Sequence, residues 1–284
     1  MAKNIELHLH PFLGKKNNIE DVIEAMDDTK LDIVAIEALD HTLHNQVIEE
    51  IKSKYPEAYS DDYGTMLPDG KCILRAREYN TKETVHVLTV GYTLDSANPT
   101  TEIREIIDKC LEKDALVIID HPFVDNAKTR TAGHISKELE EELTSLCKEY
   151  SGQITLEWNG YSIPWIRKGL KHILKILGHA VSYHDVNKKV EEFSSLLKSE
   201  GCNVPVIADT DLHARKKKHL QYMGTSRIVS DVKGETPEEI VKSMKMNIFA
   251  GEYFNIKEYV SSWHLLEAFC FPVLFSKFFY KPRA

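Results

Sequence analysis

Residues 115–122 read ALVIIDHP. Five apolar residues in a row, closed by an acid, an imidazole and a proline, describe a short strand buried on both faces that stops at a polar edge. The period changes on either side. Residues 101–113 and 136–149 carry apolar positions at helical spacing, so the strand sits between two helices. The same unit recurs outward in both directions. Strand-like runs occupy Ile5–His10, Leu31–Ile36, 153–157 and 204–208. Helical spacing occupies 18–28 (Ile19, Val22, Ile23 and Met26, capped by Asn17 or Asn18), Val47–Lys54, 164–177 and 187–200. Cys72–Tyr79 and Val85–Tyr92 are two more strand-like runs, a candidate antiparallel pair. A short strand near Ser226–Val229 and a helix over Pro237–Met246 complete the pattern. Residues 56–70, with Pro56, Gly64, Pro68 and Gly70, read as loop. Repeated βα units with short apolar strands predict a parallel sheet or barrel, and 284 residues suit one α/β barrel.

The bulk composition excludes several classes. Charged residues at 28% and hydrophobic residues at 42% are those of a globular chain, not a disordered one. A net charge of −8 does not advertise a nucleic-acid surface. The one dense basic run, Arg215, Lys216, Lys217 and Lys218, reads as a solvated face. The five cysteines form no CxxC pair, so reduced, buried thiols are expected. The opening MAKNIELHLH has no apolar signal core, and no run of about 18 apolar residues spans a bilayer. A cytoplasmic protein without a transmembrane segment is expected. Residues 264–280, HLLEAFCFPVLFSKFFY, are unusually aromatic, but Glu267, Pro272 and Lys277 interrupt them. The expected division is a main domain over 1–257 and a helical tail over 258–284 that packs on the barrel or contacts a partner.

The strand ends carry the chemistry. The first strand ends in His8 and His10, two positions apart and so on one face. With 13 histidines in 284 residues, one such pair arises by chance about as often as not. The second strand leads into Asp40 and His41. The third reaches Glu78, His86 opens the fourth, and the fifth ends in Asp120, His121 and Pro122. Glu157 closes the next strand, and 204–208 leads into Asp209, Asp211 and His213. The C-terminal strand ends of a βα barrel build its active site. Gathering that many titratable groups is unfavourable unless they are paired or hold a metal. Imidazole and carboxylate without thiolate suit zinc, iron or manganese. Two or more such ions, bridged by a carboxylate, suit hydrolysis at phosphorus.

The order of motifs resembles that of the polymerase and histidinol phosphatase (PHP) family of metal-dependent phosphoesterases. Its HxH is similar to His8-Leu9-His10, its TDH to Leu39-Asp40-His41, and its bridging glutamate to Glu78. Its HxLxxG resembles the segment opened by His86, its HP resembles His121-Pro122, and its SDxH resembles Thr210-Asp211-Leu212-His213. The match runs from about residue 5 to 250. The resemblance implies a distorted seven-stranded βα barrel. It implies one metal on His8, His10, Glu78 and Asp211, a second on Glu78, His86 and His121, and a third on His41 and His213. Related members carry one more ligand where Lys15 stands here, so the third ion rests on Asp40 or His44, or the site holds two ions.

The function expected is hydrolysis of a small phosphorylated metabolite or nucleotide with two or three divalent ions (Zn, Fe or Mn). Asp211, His213 and His41 are the candidate catalytic residues. Lys15, Lys128 and Arg130 are candidate phosphate contacts, and Glu157 and Asn159 candidate groups that orient ligands. A nuclease acting on nucleic-acid ends uses the same metal chemistry and is the weaker alternative. A histidinol phosphatase, a C–N hydrolase and a non-catalytic binding scaffold are further ones. The oligomeric state is not legible.

Overall fold

The computed structural model describes residues 2–12, 17–37, 41–94, 100–123, 136–166, 168–169 and 185–267, and in the case of His41 the backbone alone. The strands in chain order are β1 (Lys3–His10), β2 (Ile33–Glu37), β3 (Tyr59–Asp61), β4 (Gly64–Met66), β5 (Cys72–Asn80), β6 (His86–Val90), β7 (Leu116–Asp120), β8 (Ile154–Asn159), β9 (Val206–Asp209), β10 (Leu212–His213), β11 (Arg227–Ser230) and β12 (Tyr253–Ile256). The helices are α1 (Ile19–Thr29), α2 (His41–Lys54), α3 (Ile103–Leu111), α4 (Lys137–Glu149), α5 (Val186–Ser199), α6 (Pro237–Ala250) and α7 (Ser262–Leu265).

Nine strands follow one path, β12-β11-β1-β2-β5-β6-β7-β8-β9, and curl into a nearly closed barrel. The fold is the α/β barrel expected, with nine strands in the wall where seven were expected. The extra members are short or antiparallel pieces that period alone does not single out. β11 and β12 run antiparallel at one edge, and the β3–β4 hairpin, read from sequence as loop, attaches to β5. Ladder hydrogen bonds do not join β9 to β12. Instead, the Asn255 amide stands in for a peptide group: it accepts from Ala208 N and donates to Val206 O, each at 2.8 Å.

Local chemistry sets the element ends. Asn18 caps α1 by accepting from Asp21 N, and Asp21 returns the bond to Asn18 N, a capping box. Thr236 caps α6 ahead of Pro237, and Gly251 ends it at φ 76°, where glycine carries no steric penalty. Of the expected helix over 164–177, only the first residues are described.

The barrel interior has two layers. Ile33, Ala35, Leu74, Ala76, Leu88, Val90, Leu116, Ile118 and Ile207 form one apolar cluster. Ile240, Val241, Met244 and Ile248 of α6 join it and plug one end of the barrel. Two positions further along, the inward side chains become Glu37, Glu78, Asp120 and Asp209. The reversed strand β6 delivers His86 at its start, opposite Asp120. This is why a histidine that opens a strand stands beside acids that close theirs.

Candidate metal centre

β1 supplies the first pair of candidate ligands. Its register with β2 shifts between Glu6 and Leu9. This bulge re-phases the strand. Ile5 and Leu7 belong to the interior apolar cluster, whereas beyond the bulge Leu9 packs on the helix side. His8 and His10 then both turn to the rim, where they are buried.

Their ring orientations are fixed from behind. His8 Nδ1 meets Glu157 Oε1 at 2.9 Å, and His10 Nδ1 meets Glu37 Oε2 at 3.2 Å. A carboxylate is only an acceptor, so in the neutral ring each Nδ1 carries the proton and each Nε2 offers a lone pair. The two Nε2 atoms nevertheless face each other at 2.9 Å. Two lone pairs at that distance repel, so either one ring carries a second proton and donates it to the other, or a cation lies close to both. Asp211 Oδ1 is 3.6 Å from His8 Nε2 and 3.4 Å from His10 Nε2. Glu78 Oε2 is 3.9 and 3.5 Å from the same two atoms. Ligand bonds of about 2.0–2.2 Å in a tetrahedral shell place donors roughly 3.4 Å apart. The five separations, from 2.9 to 3.9 Å, scatter around that value, and His8, His10 and Asp211 form the compact group able to hold an ion.

Glu78 also faces the other way. Its Oε1 contacts His86 Nδ1 directly and lies 3.5 Å from His121 Nε2. His121 Nε2 is 2.9 Å from Asp120 Oδ2. Glu78, His86, Asp120 and His121 thus form a second group able to hold an ion, and Glu78 is the member that also reaches toward His8 and His10. Asp211 Oδ1, both Asp120 oxygens and His86 Nε2 are buried without a hydrogen-bond partner. Buried polar atoms are otherwise almost always bonded, so orphans concentrated on one rim fit absent cations.

Electrostatics agree with the geometry. Burial opposes charge on His8, but Asp120 and Asp211 outweigh it and hold the ring well above the ordinary histidine range. Burial also opposes charge on His10, and its bonds to Asp211 and Glu37 hold it up at about 10. Glu78 stays ionised far below the usual carboxylate range because His121 and His86 overcome its burial. Asp120 and Asp209 are pushed well up, first by burial and then by the charge of Glu157. The pattern is that of acids crowded around too little positive charge.

Backbone strain falls at the same place. Of the five described non-glycine residues with positive φ, two stand at the rim, His121 (29°) and Asp211 (56°). Such strain persists only where the surroundings over-determine it. Asn159 Nδ2 bridges Asp211 Oδ2 and Glu157 Oε2, both at 2.9 Å, and so turns Asp211 Oδ1 toward the histidines. Asn187 on α5 clamps the Asn159 backbone from both sides. Buried Glu6 accepts from Thr210 N at 2.9 Å and Gly224 N at 3.2 Å, fixing the turn that carries Asp211.

No family model and no curated relative matches the sequence. Solved structures do resemble the fold. PsfC from Pseudomonas syringae PB-5123 is 12% identical, with a TM-score of 0.54 over 98% of this chain and 99% of that one. The lesion-specific endonuclease Q of Pyrococcus furiosus is 18% identical, with a TM-score of 0.51 over 87% of this chain, which spans 56% of the endonuclease. A two-domain protein from Bacteroides vulgatus ATCC 8482 with a predicted PHP-like metal-dependent phosphoesterase is 11% identical, with a TM-score of 0.52, covering 95% and 69% of the two chains. At these identities the likeness is one of fold.

The sequence-predicted residues divide cleanly. The structure brings His8, His10, Glu78, His86, His121 and Asp211 together, with His213 at the edge of the group. His213 Nδ1 lies 2.8 Å from Asp211 O, so it donates there and keeps Nε2 as an acceptor, and its ring is 4.5 Å from that of His10. His44 Nε2 instead meets Ala76 O at 3.1 Å. Asp40, the His41 side chain, Lys15, Lys128 and Arg130 lie outside the described residues. Sequence reading missed Glu37 as a partner of His10, although its place at the end of an apolar strand was a usable signal. It also missed Glu6, Tyr161 and His264. Tyr161 Oη accepts from His213 N at 3.2 Å and contacts His264 Nε2. Nothing local marks those residues.

Proposed function

We propose that this chain is a PHP-type metal-dependent phosphoesterase acting on a small phosphorylated substrate. The observation that carries the reading is the pair of imidazole Nε2 atoms facing each other at 2.9 Å with Glu78 reaching toward both candidate ion positions. His8, His10, Glu78 and Asp211 would hold one ion, and Glu78, His86, Asp120 and His121 a second. His213 and the TDH segment, Asp40 with His41, are the candidates for a third. Zinc, iron or manganese matches the donor set. Such ions, when bound, supply the positive charge that activates water and stabilises charge developing at phosphorus.

The chain's own groups do the rest. Glu157 and Glu37 hold the two imidazoles in the ligating tautomer. Asn159 aims Asp211. His213, whose pKa burial lowers despite the nearby Asp211, stays neutral at pH 7 and presents Nε2 as a proton acceptor at the rim. The net charge of −8 gives the nuclease alternative little support. Lys216 and Lys218 pair with Glu267, and Lys217 pairs with Asp21 and Glu24.

The test couples metal analysis to hydrolysis. Protein purified without a metal-affinity tag should carry two or more equivalents of Zn, Fe or Mn by mass spectrometry. It should hydrolyse p-nitrophenyl phosphate or nucleotides, and Asp211→Asn should abolish that release. Fewer ions after reconstitution, with no phosphoester cleaved, would sink the reading in favour of a binding scaffold. Cleavage of oligonucleotides alone would favour the nuclease.

A further inference from the structure

The run Arg215 to Lys218 stands beside a polar arrangement that the metal chemistry does not use. Arg215 N donates to His219 Nδ1 at 3.2 Å. Nδ1 is therefore the acceptor, and the neutral ring carries its proton on Nε2. That Nε2 is buried, on a residue only 2% exposed, and has no hydrogen-bond partner. It points toward Glu267 Oε2, 3.8 Å away, beyond hydrogen-bond reach. Lys216 Nζ reaches Glu267 Oε1 at 2.9 Å, and Lys218 Nζ reaches Oε1 and Oε2 at 2.7 and 2.8 Å. Three donors from one short segment thus converge on one carboxylate, and the buried one goes unmet.

A carboxylate is flat and has two oxygens. A phosphate monoester has three terminal oxygens on a tetrahedron and can offer a separate oxygen to each of three donors, including the His219 Nε2 that Glu267 leaves at 3.8 Å. The donor set therefore suits a phosphate better than the group now in it. It is also close to the candidate metal centre. The His213 ring is 5.5 Å from Tyr161, Tyr161 is 5.6 Å from His264, and His264 is 4.8 Å from His219. Three ring contacts, through buried Tyr161 and His264, thus separate His219 from His213 at the rim.

We propose that Lys216, Lys218 and His219 form an anion subsite for a second, non-scissile phosphate of the substrate, and that Glu267 occupies it as an internal surrogate. The subsite rests on the phosphoesterase reading for its role but not for its existence. Substrates with two phosphates displace Glu267. Substrates with one do not need to.

Glu267→Gln tests the idea, because it keeps the shape and removes the competing charge. In the metal-loaded enzyme, the ratio of kcat/KM on a nucleoside bisphosphate to that on p-nitrophenyl phosphate should rise about tenfold, and adding Lys216→Ala and Lys218→Ala should reverse the gain. An unchanged ratio overturns the substrate role. Calorimetric titration of inorganic pyrophosphate into metal-stripped protein is independent of activity. Glu267→Gln should bind more tightly than the parent chain, and the lysine variants should lose that binding. No gain in affinity overturns the subsite itself, whether or not the enzyme cleaves any phosphoester. A gain in pyrophosphate binding with an unchanged kinetic ratio would assign the site to free phosphate as an effector and overturn the substrate proposal.

Discussion

The two ends of the barrel interior are built from the same strands and opposite chemistry. At the α6 end, Leu74, Val90, Leu116 and Met244 are fully buried and apolar. At the rim, the next inward positions hold Glu37, Asp120, Glu157 and Asp209, nearly as deeply buried, and the half-buried Glu78. The plug end stabilises the fold by removing apolar surface from water. The rim concentrates buried charge, which is unfavourable until cations balance it. One end supplies the stability that the other spends on a preorganised site.

That contrast can be broken in both directions. The largest effect is expected from Glu78→Ala, which removes the one group shared by both ion positions. Activity should fall by about a thousandfold or more, with loss of both ions by mass spectrometry and little loss in melting temperature of the metal-free protein. Retained metal with normal turnover would remove Glu78 from the centre. Met244→Ala should do the reverse. It should cost about 2–5 kcal/mol in chemical denaturation and leave the metal content unchanged. A parallel drop in metal would mean that the two ends are coupled.

Glu157→Gln sharpens the picture at the rim. Losing the charge behind His8 should weaken metal binding by about 10–100-fold in a competition titration with a chelator, without emptying the site. No change would make Glu157 a bystander. The smallest effect concerns the C-terminal segment. Burial, and then the neighbouring His219, push His264 down from 6.5 to about 4. A histidine whose folded pKa is depressed contributes fully above its unfolded value, and that contribution is lost as pH falls toward the folded one. Amide protection factors in 261–267, which correct for the intrinsic pH dependence of exchange, should therefore fall between pH 6.5 and about 4, and His264→Gln should flatten that dependence.

Much of this was legible without coordinates. Apolar runs of strand length ending in His, Asp or Glu identified the barrel and six of the rim groups, because a period of two and an abrupt change of polarity are local signals. The reversal of β6 was partly legible, since His86 opens its strand instead of closing it. The β3–β4 hairpin and β12 were not. Their few residues carry Gly, Ser, Asp or Asn, and what holds them is pairing with β5 and β11, which no local period encodes.

The amino-acid sequence by itself determined the alternation of strands and helices, the burial of each strand, and which residue types stand at the strand ends. Those properties depend on neighbours a few positions away. Only the tertiary structure decided that Glu37 backs His10, that Glu157 backs His8, that Glu78 faces two groups at once, and that Glu267 sits on Lys216 and Lys218. Each of these pairs residues 27 or more apart in sequence, or depends on a bulge or barrel closure that re-aims a side chain by a few ångströms. Coordination and hydrogen bonding are decided over that distance, and sequence spacing does not resolve it.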